Sequence, residues 1–198
     1  MTDKISLRKE KIQERDSVSK IEKGLAEKNT STHFINNYGE LDFRKVSIYF
    51  PIKNEVPTKT IASYIRDSGK KCFLPLIDKD LNNKEMKFSE FTNEASLVKN
   101  KFNIPESLNS SLIIGSELEL IIMPLVAFDD KGYRLGMGQG YYDFTFRNFL
   151  LNEKQVFLGL AYDFQKTKNC YPEEHDLKMD AVISVSYTHL TLPTIYSV

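Results

Sequence analysis

With 198 residues, 41% hydrophobic and 27% charged, the chain can build one domain with a sizeable core and is too ordinary in composition for wholesale disorder. Lysine plus arginine (27) equals aspartate plus glutamate (27), so no global field draws the protein to nucleic acid or an anionic membrane. An anionic ligand must therefore be met by a local group of cations. Cys72 and Cys170 lack Cys-x-x-Cys spacing and read as reduced thiols. No apolar run of about eighteen residues marks a transmembrane helix. The charged start, "MTDKISLRKEKIQERDS", lacks the apolar stretch of a signal peptide, so a cytoplasmic protein is expected.

Residues 3–28 read as one helix. Ile5, Ile12 and Leu7 suggest an apolar stripe, while Lys4, Arg8, Lys11 and Arg15 recur at three- and four-residue steps on one face. A solvated surface is the default expectation for such cations. "KVSIYF", 45–50, predicts a strand, and "PIKNEVPT" ends it. "TKTIASYIRDSG", 58–69, has helical spacing and a closing glycine. "KCFLPLI" predicts a second strand and "KEMKFSEF" a weaker one. The near-continuous apolar run 118–128 suits a strand buried on both faces. A glycine-rich stretch follows, then a helix from "YYDFTFRNFLLNE", then strands at 155–162 and 180–186. Residues 187–198 turn abruptly to threonine and serine, and are expected to form a non-native or disordered tail beyond a single domain at 1–186.

Strands alternating with helices predict an α/β fold: a three-layer, open, mainly parallel sheet with helices on both faces. Ligands of such sheets lie beyond the carboxyl ends of the strands, which directs attention to loops 51–58, 128–142 and 161–176.

"YRLGMGQGYYDF", 133–144, holds three of the nine glycines at alternate positions. The Walker A spacing is absent, and Tyr141 stands where a dinucleotide fingerprint needs its third glycine. What remains is a tight loop between a buried strand and a helix. Missing side chains there would let backbone N–H groups converge on a phosphate, and a purely structural turn fits the spacing equally well. Arg134 could supply a fork for phosphate or carboxylate. Asp143 offers an oxygen to Mg²⁺, or complements a helix dipole. A metal-phosphohydrolase reading of His175–Asp176 fails for want of histidines, since only His33 remains outside the tail.

The stretch "PLVAFDDKGYRLGMGQGYYD", 124–143, together with "KISLR", 4–8, "PIKNEV", 51–56, "FNIPE", 102–106, and "EEHDLKMDAV", 173–182, resembles the 5-formyltetrahydrofolate cyclo-ligase (methenyltetrahydrofolate synthetase) family. The resemblance covers about residues 3–185 in the family's order. A basic residue is common in the family at Gln139, and Arg usually follows Tyr-Tyr-Asp where this chain has Phe144; the departures imply weaker phosphate binding or a shifted nucleotide preference.

The resemblance implies a fold shared with sugar-phosphate isomerases and CoA transferases. It implies ATP- and Mg²⁺-dependent closure of 5-formyltetrahydrofolate to 5,10-methenyltetrahydrofolate, by phosphorylation of the formyl oxygen, with ADP and phosphate released. ATP contacts would come from Lys4, Arg8, Arg134, Leu135, Gly136, Met137, Gly138, Gln139, Gly140, Tyr141 and Tyr142. Folate contacts would come from Phe50, Glu55, Met137 and Tyr142. Arg134, Tyr141 and Tyr142 would serve catalysis, and Asp143 and Asp176 would hold the metal. A monomer that binds neither nucleic acid nor membrane is expected. The competing readings are an isomerase- or transferase-like enzyme without ATP, and a folate or nucleotide binder without turnover.

Overall fold

The computed structural model describes residues 3–78, 83–100, 105–107, 111–147 and 155–189. Two helices open the chain where the spacing predicted one: α1 (Lys4–Asp16) and α2 (Lys20–Tyr38). The break is chemical. Ser19 accepts from Glu22 N through its hydroxyl while the Glu22 carboxylate accepts from Ser19 N, a reciprocal cap that starts a new helix in mid-sequence. The helix also runs on to Tyr38, ten residues beyond the predicted end at 28, because Phe34 and Tyr38 bury against the sheet.

The elements that follow are β1 (Lys45–Ser47), α3 (Lys59–Asp67), β2 (Lys71–Leu76), β3 (Lys87–Glu90), β4 (Leu97–Lys99), β5 (Pro105–Ser107) and β6 (Leu112–Ile114). Then come β7 (Leu120–Pro124), β8 (Ala127–Phe128), β9 (Arg134–Leu135), α4 (Tyr141–Phe146), β10 (Val156–Ala161), β11 (Ala181–Ser184) and β12 (Thr188–His189). The main sheet has the order β12-β11-β10-β7-β1-β2-β3-β6. Its five central strands, β11 to β2, are parallel, and antiparallel strands flank them at both ends.

Alternation along β7 shows why the run is continuously apolar. Leu120 and Ile122 face α2 and α3 across one core, while Ile121 and Met123 join Phe146 of α4 and Leu177 in the other. The three-layer arrangement is therefore as expected. One expectation needs correction. The apolar run is interrupted at Leu125–Val126 and becomes the hairpin β8–β9. At the start of the segment expected to be a non-native or disordered tail, 187–198, β12 pairs antiparallel with β11. Residues 190–198, the second half of the helix predicted at 141–153, and most of "FNIPE" lie outside the described residues.

β1 has β2 on one side and β7 on the other, so the chain leaves it in one direction and returns on the opposite side. That reversal is a topological switch point, the place beyond the strand ends where open α/β sheets bind their ligands. Among the described residues no helix is long and apolar enough to cross a membrane. Replacing Ser19 with Ala removes the cap that separates α1 from α2 and should cost about 1 kcal/mol of stability in urea unfolding, with the sheet intact.

Candidate functional site

Three strand-end loops and one helix meet beyond the strand ends. After β7 the chain turns through the β8–β9 hairpin, whose tip is held by a buried carboxylate. Asp129 Oδ1 accepts from Lys131 N (3.0 Å) and Tyr133 N (3.1 Å), and Oδ2 accepts from Cys170 N (3.0 Å) in the loop after β10. The glycine loop 136–140 then runs half-exposed to exposed into α4. Gly138 (φ +93°) and Gly140 (φ +72°) adopt the left-handed conformation, which explains glycine at both positions. Leu135 packs its side chain with Leu7 and Cys170, and its carbonyl accepts from Val126 N at 2.7 Å.

Helix α1 lies across this loop, and its cationic stripe is not a solvated face. Arg8 Nε donates to Gly136 O at 2.8 Å, and a Cβ placed on Gly138 would sit 3.5 Å from Arg8 Cζ. Lys4 Nζ bonds Glu173 Oε1 (2.8 Å) and Asp176 Oδ2 (2.9 Å). Burial works to lower the Lys4 pKa, and its two carboxylate partners outweigh that and raise it. Arg15 is 1% exposed and donates to Leu125 O (3.3 Å) and Met137 Sδ (3.7 Å). Of the residues expected in the apolar stripe, Leu7 is buried whereas Ile5 is 74% exposed.

Arg134 extends from β9 toward α4 and the 173–177 turn. Its Nη1 donates to Leu177 O (3.0 Å) and its Nη2 to Asp143 Oδ1 (2.9 Å), so both terminal nitrogens are engaged by the protein. The same Asp143 oxygen accepts from Leu177 N at 3.0 Å. Asp176 next to it accepts from Lys4 and from Glu173 N (2.9 Å). Burial works to raise the Asp176 pKa, but those donors hold it below the ordinary carboxylate value. Both expected metal ligands thus lie on one knot of side chains around 173–177. Among the described residues no three His, Cys, Asp or Glu side chains come together as a metal set. The pair fits Mg²⁺ only as part of a shell completed by phosphate and water, the usual habit of that ion.

The folate-side candidates gather from β1's continuation. Glu55 Oε2 accepts from Ile52 N (2.9 Å), while Oε1 stands 3.8 Å from Arg15 Nη1. Burial pushes the Glu55 carboxyl up to about 7, against the hydrogen bond from Ile52 and the cations Arg15 and Lys53. Lys53 (φ +45°) and Asn54 (φ +60°) hold this turn in a conformation side chains rarely adopt. Asn54 Nδ2 secures it to α1 by donating to Arg15 O and Asp16 O, both at 3.3 Å. Burial and the nearby Glu55 raise the Tyr142 hydroxyl, and the Arg134 guanidinium lies 5.8 Å from the Tyr142 ring centre. Tyr141 packs half-buried beside the same core, and Phe50 against the core on the other face of the sheet. Gln139 is exposed on the loop, and Phe144 carries the Arg147 guanidinium 4.0 Å above its ring.

Sequence patterning missed the roles of Arg15, Glu173 and Asp129. The four-cation spacing held the signal for Arg15, but spacing does not say what covers a face. His175 is exposed, 3.6 Å from Glu173 Oε2.

Fold and site define an α/β protein with a glycine loop beyond the end of its parallel sheet, flanked by cations from its first helix and by a buried carboxylate. The model of the 5-formyltetrahydrofolate cyclo-ligase family matches residues 1–185, and the chain belongs to that family. The 5-formyltetrahydrofolate cyclo-ligase of Haemophilus influenzae is 31% identical over 163 residues, covering 81% of this chain and 86% of the relative. The mouse (Mus musculus) enzyme of the same name is 30% identical, covering 71% and 72%. A 5,10-methenyltetrahydrofolate synthetase structure from Aquifex aeolicus superposes with a TM-score of 0.80 at 26% identity, covering 94% of this chain and 92% of its own.

Replacing Asp143 with Ala removes the acceptor shared by Arg134 and Leu177 and leaves a guanidinium only 5% exposed without its counter-charge. Denaturant unfolding should register a loss of up to about 3 kcal/mol, the low end for breaking a buried pair, because Asp143 itself is partly exposed.

Proposed function

We propose that the protein is an ATP- and Mg²⁺-dependent ligase that closes 5-formyltetrahydrofolate to 5,10-methenyltetrahydrofolate through phosphorylation of the formyl oxygen. One observation supports this reading beyond family membership: α1 brings Lys4 to the 173–177 turn, Arg8 to the loop of left-handed glycines and Arg15 to Glu55. A formamide oxygen is a poor nucleophile, so the residues have mainly to align it and to stabilise phosphoryl charge.

In this scheme the main chain of 136–140 receives the phosphates, with Lys4 and Arg8 closing over them. Lys4 and Arg8 are already oriented by Asp176, Glu173 and Gly136 O, so little side-chain freedom remains to be lost when the anion binds. Arg134 does its work from beneath the loop. It fixes Asp143 and stiffens the 173–177 turn, keeping both carboxylates beside the phosphates. A bound Mg²⁺ would supply Lewis-acid neutralisation of phosphate oxygens, held by Asp143 and Asp176 directly or through water. Glu55 accepts hydrogen bonds from the donor edge of the pterin, with Met137, Tyr142 and Phe50 bounding the folate. Tyr142, coupled to both Arg134 and Glu55, is the tyrosine that faces the ligand; Tyr141 serves mainly as packing. The enzyme acts as a monomer in the cytoplasm, with no nucleic-acid or membrane partner.

The direct test follows methenyl-folate absorbance from 5-formyltetrahydrofolate with and without Mg·ATP. Product that depends on both supports the ligase; tight folate binding without turnover would support a binding protein instead. Replacing Arg134 with Ala frees Asp143 and the 173–177 turn and should lower kcat on the order of a hundredfold, as misplacing reacting groups by about an ångström does. Near-normal turnover would count against its role. Placing Val at Gly138 puts a branched side chain on a left-handed residue beside Arg8. ATP saturation should be lost; an ATP-saturable variant would reduce the loop to a turn.

A further inference from the structure

Arg15 is a buried cation that the scheme above leaves without a task. It is 1% exposed, and its Nε has no hydrogen-bond partner although it is buried. Burying a guanidinium is costly unless its donors are well used, and replacement by an apolar side chain is often neutral for stability. Its retention at this point in the fold therefore asks for a reason beyond packing. Its surroundings supply one. Leu125 O and Met137 Sδ hold the two terminal nitrogens from either side, the first at the end of β7 and the second within the glycine loop. The plane of the group is thereby fixed, and Nη1 faces Glu55 Oε1 at 3.8 Å.

That distance is too long for a hydrogen bond and short enough for strong attraction between partly dehydrated charges. The other oxygen, Oε2, is spent on Ile52 N. Among the described residues Oε1 accepts no hydrogen bond and has the guanidinium as its ion partner, so its lone pairs are kept for a ligand. We propose that Arg15 is a positioning residue for folate recognition, one that keeps Oε1 of Glu55 in place as an anionic acceptor for the pterin. The inference rests on the folate reading of Glu55.

The electrostatics around Glu55 agree. Burial raises its carboxyl to about 7, and the charged neighbours acting against that are Arg15 on α1 and Lys53 on its own turn. The other titratable groups near enough to feel its charge are phenols, Tyr49 after β1, Tyr142 on α4 and Tyr162 after β10, all raised first by burial and neutral at these pH values. Lys53 is exposed, so Arg15 is the desolvated cation of the pair. The sign follows. Removing the Arg15 charge disfavours the carboxylate, moves its titration to higher pH, and shifts the loss of folate affinity on acidification in the same direction.

The test compares wild type, Arg15→Gln and Arg15→Lys, with folding checked by circular dichroism. The ¹³C chemical shift of the Glu55 carboxyl, followed against pH without ligand, should show its midpoint raised in Arg15→Gln and close to wild type in Arg15→Lys. An unmoved midpoint in folded Arg15→Gln overturns the proposal. In turnover, Arg15→Gln should raise KM for 5-formyltetrahydrofolate on the order of tenfold, as when a buried charge loses its partner, with kcat and the KM for ATP within about twofold. Its pH profile for folate should shift to higher pH, and Lys should largely restore both. A fall in kcat and both KM terms together, with an unshifted profile, would mark a structural role and overturn the proposal. In a Glu55→Gln background the Arg15→Gln change should add nothing further; additive effects would also overturn it. Wild type that forms no methenyl product refutes the ligase reading, and the carboxyl titration still decides whether Arg15 governs Glu55. If Arg15→Gln does not fold, Arg15→Met carries the same measurements.

Discussion

The site depends on one helix lying across the carboxyl end of a parallel sheet with its cations turned inward. Lys4, Arg8 and Arg15 of α1 each reach a different strand-end segment: the 173–177 turn, the glycine loop, and Glu55 together with Leu125 and Met137. Three loops remote from one another in sequence are thereby referenced to a single rigid rod. Inward cations cost desolvation unless paired, and here they are met by carbonyls, carboxylates or a thioether. Remove the rod and each loop loses its common origin.

The sheet makes that arrangement possible. β1 sits between β2 and β7, so the chain diverges at β1's carboxyl end, the kind of point at which open α/β sheets bind ligands. The folate-side carboxylate leaves from β1 and the phosphate loop from β7, on either side of that point. In the proposed scheme the formyl oxygen and the phosphoryl group come together between them. Arg134 and Asp143 sit below this meeting point and join the glycine loop to the turn carrying Asp176. Alignment is built into the backbone before any ligand arrives, which suits a reaction whose nucleophile is weak.

Much of this could be read from residues alone, and the failures have physical causes. Strands β7, β10 and β11 were legible because burial on both faces writes a continuous apolar run into the chain. The alternate glycines were legible as a functional loop only through their neighbours and the family resemblance, since two of them serve backbone conformation that a plain turn could also require. Periodicity gathered Lys4, Arg8 and Arg15 onto one face and then misjudged that face as solvated. What covers it comes from residues 55, 125, 137, 173 and 176, and no local pattern announces such distant partners. The break at Ser19 was written in "SKIE", where serine and glutamate three apart form the cap, but a helical stretch on both sides concealed it. Leu135 stands inside the loop motif, and its strand period, which the motif does not show, turns its side chain to the core. Pairing of β12 with β11 depends on an edge already formed, and two residues of strand carry no period of their own.

The central claim is that α1 and the glycine loop together form the phosphate seat. A crystal structure with a non-hydrolysable ATP analogue and Mg²⁺ tests it most directly. The account predicts terminal phosphate oxygens within hydrogen-bonding distance of backbone amides in 136–140 and of Lys4 and Arg8, with Asp143 and Asp176 on the metal's side of the triphosphate. Phosphates bound elsewhere, with Arg8 still on Gly136 O and Lys4 still on Glu173 and Asp176, would contradict it.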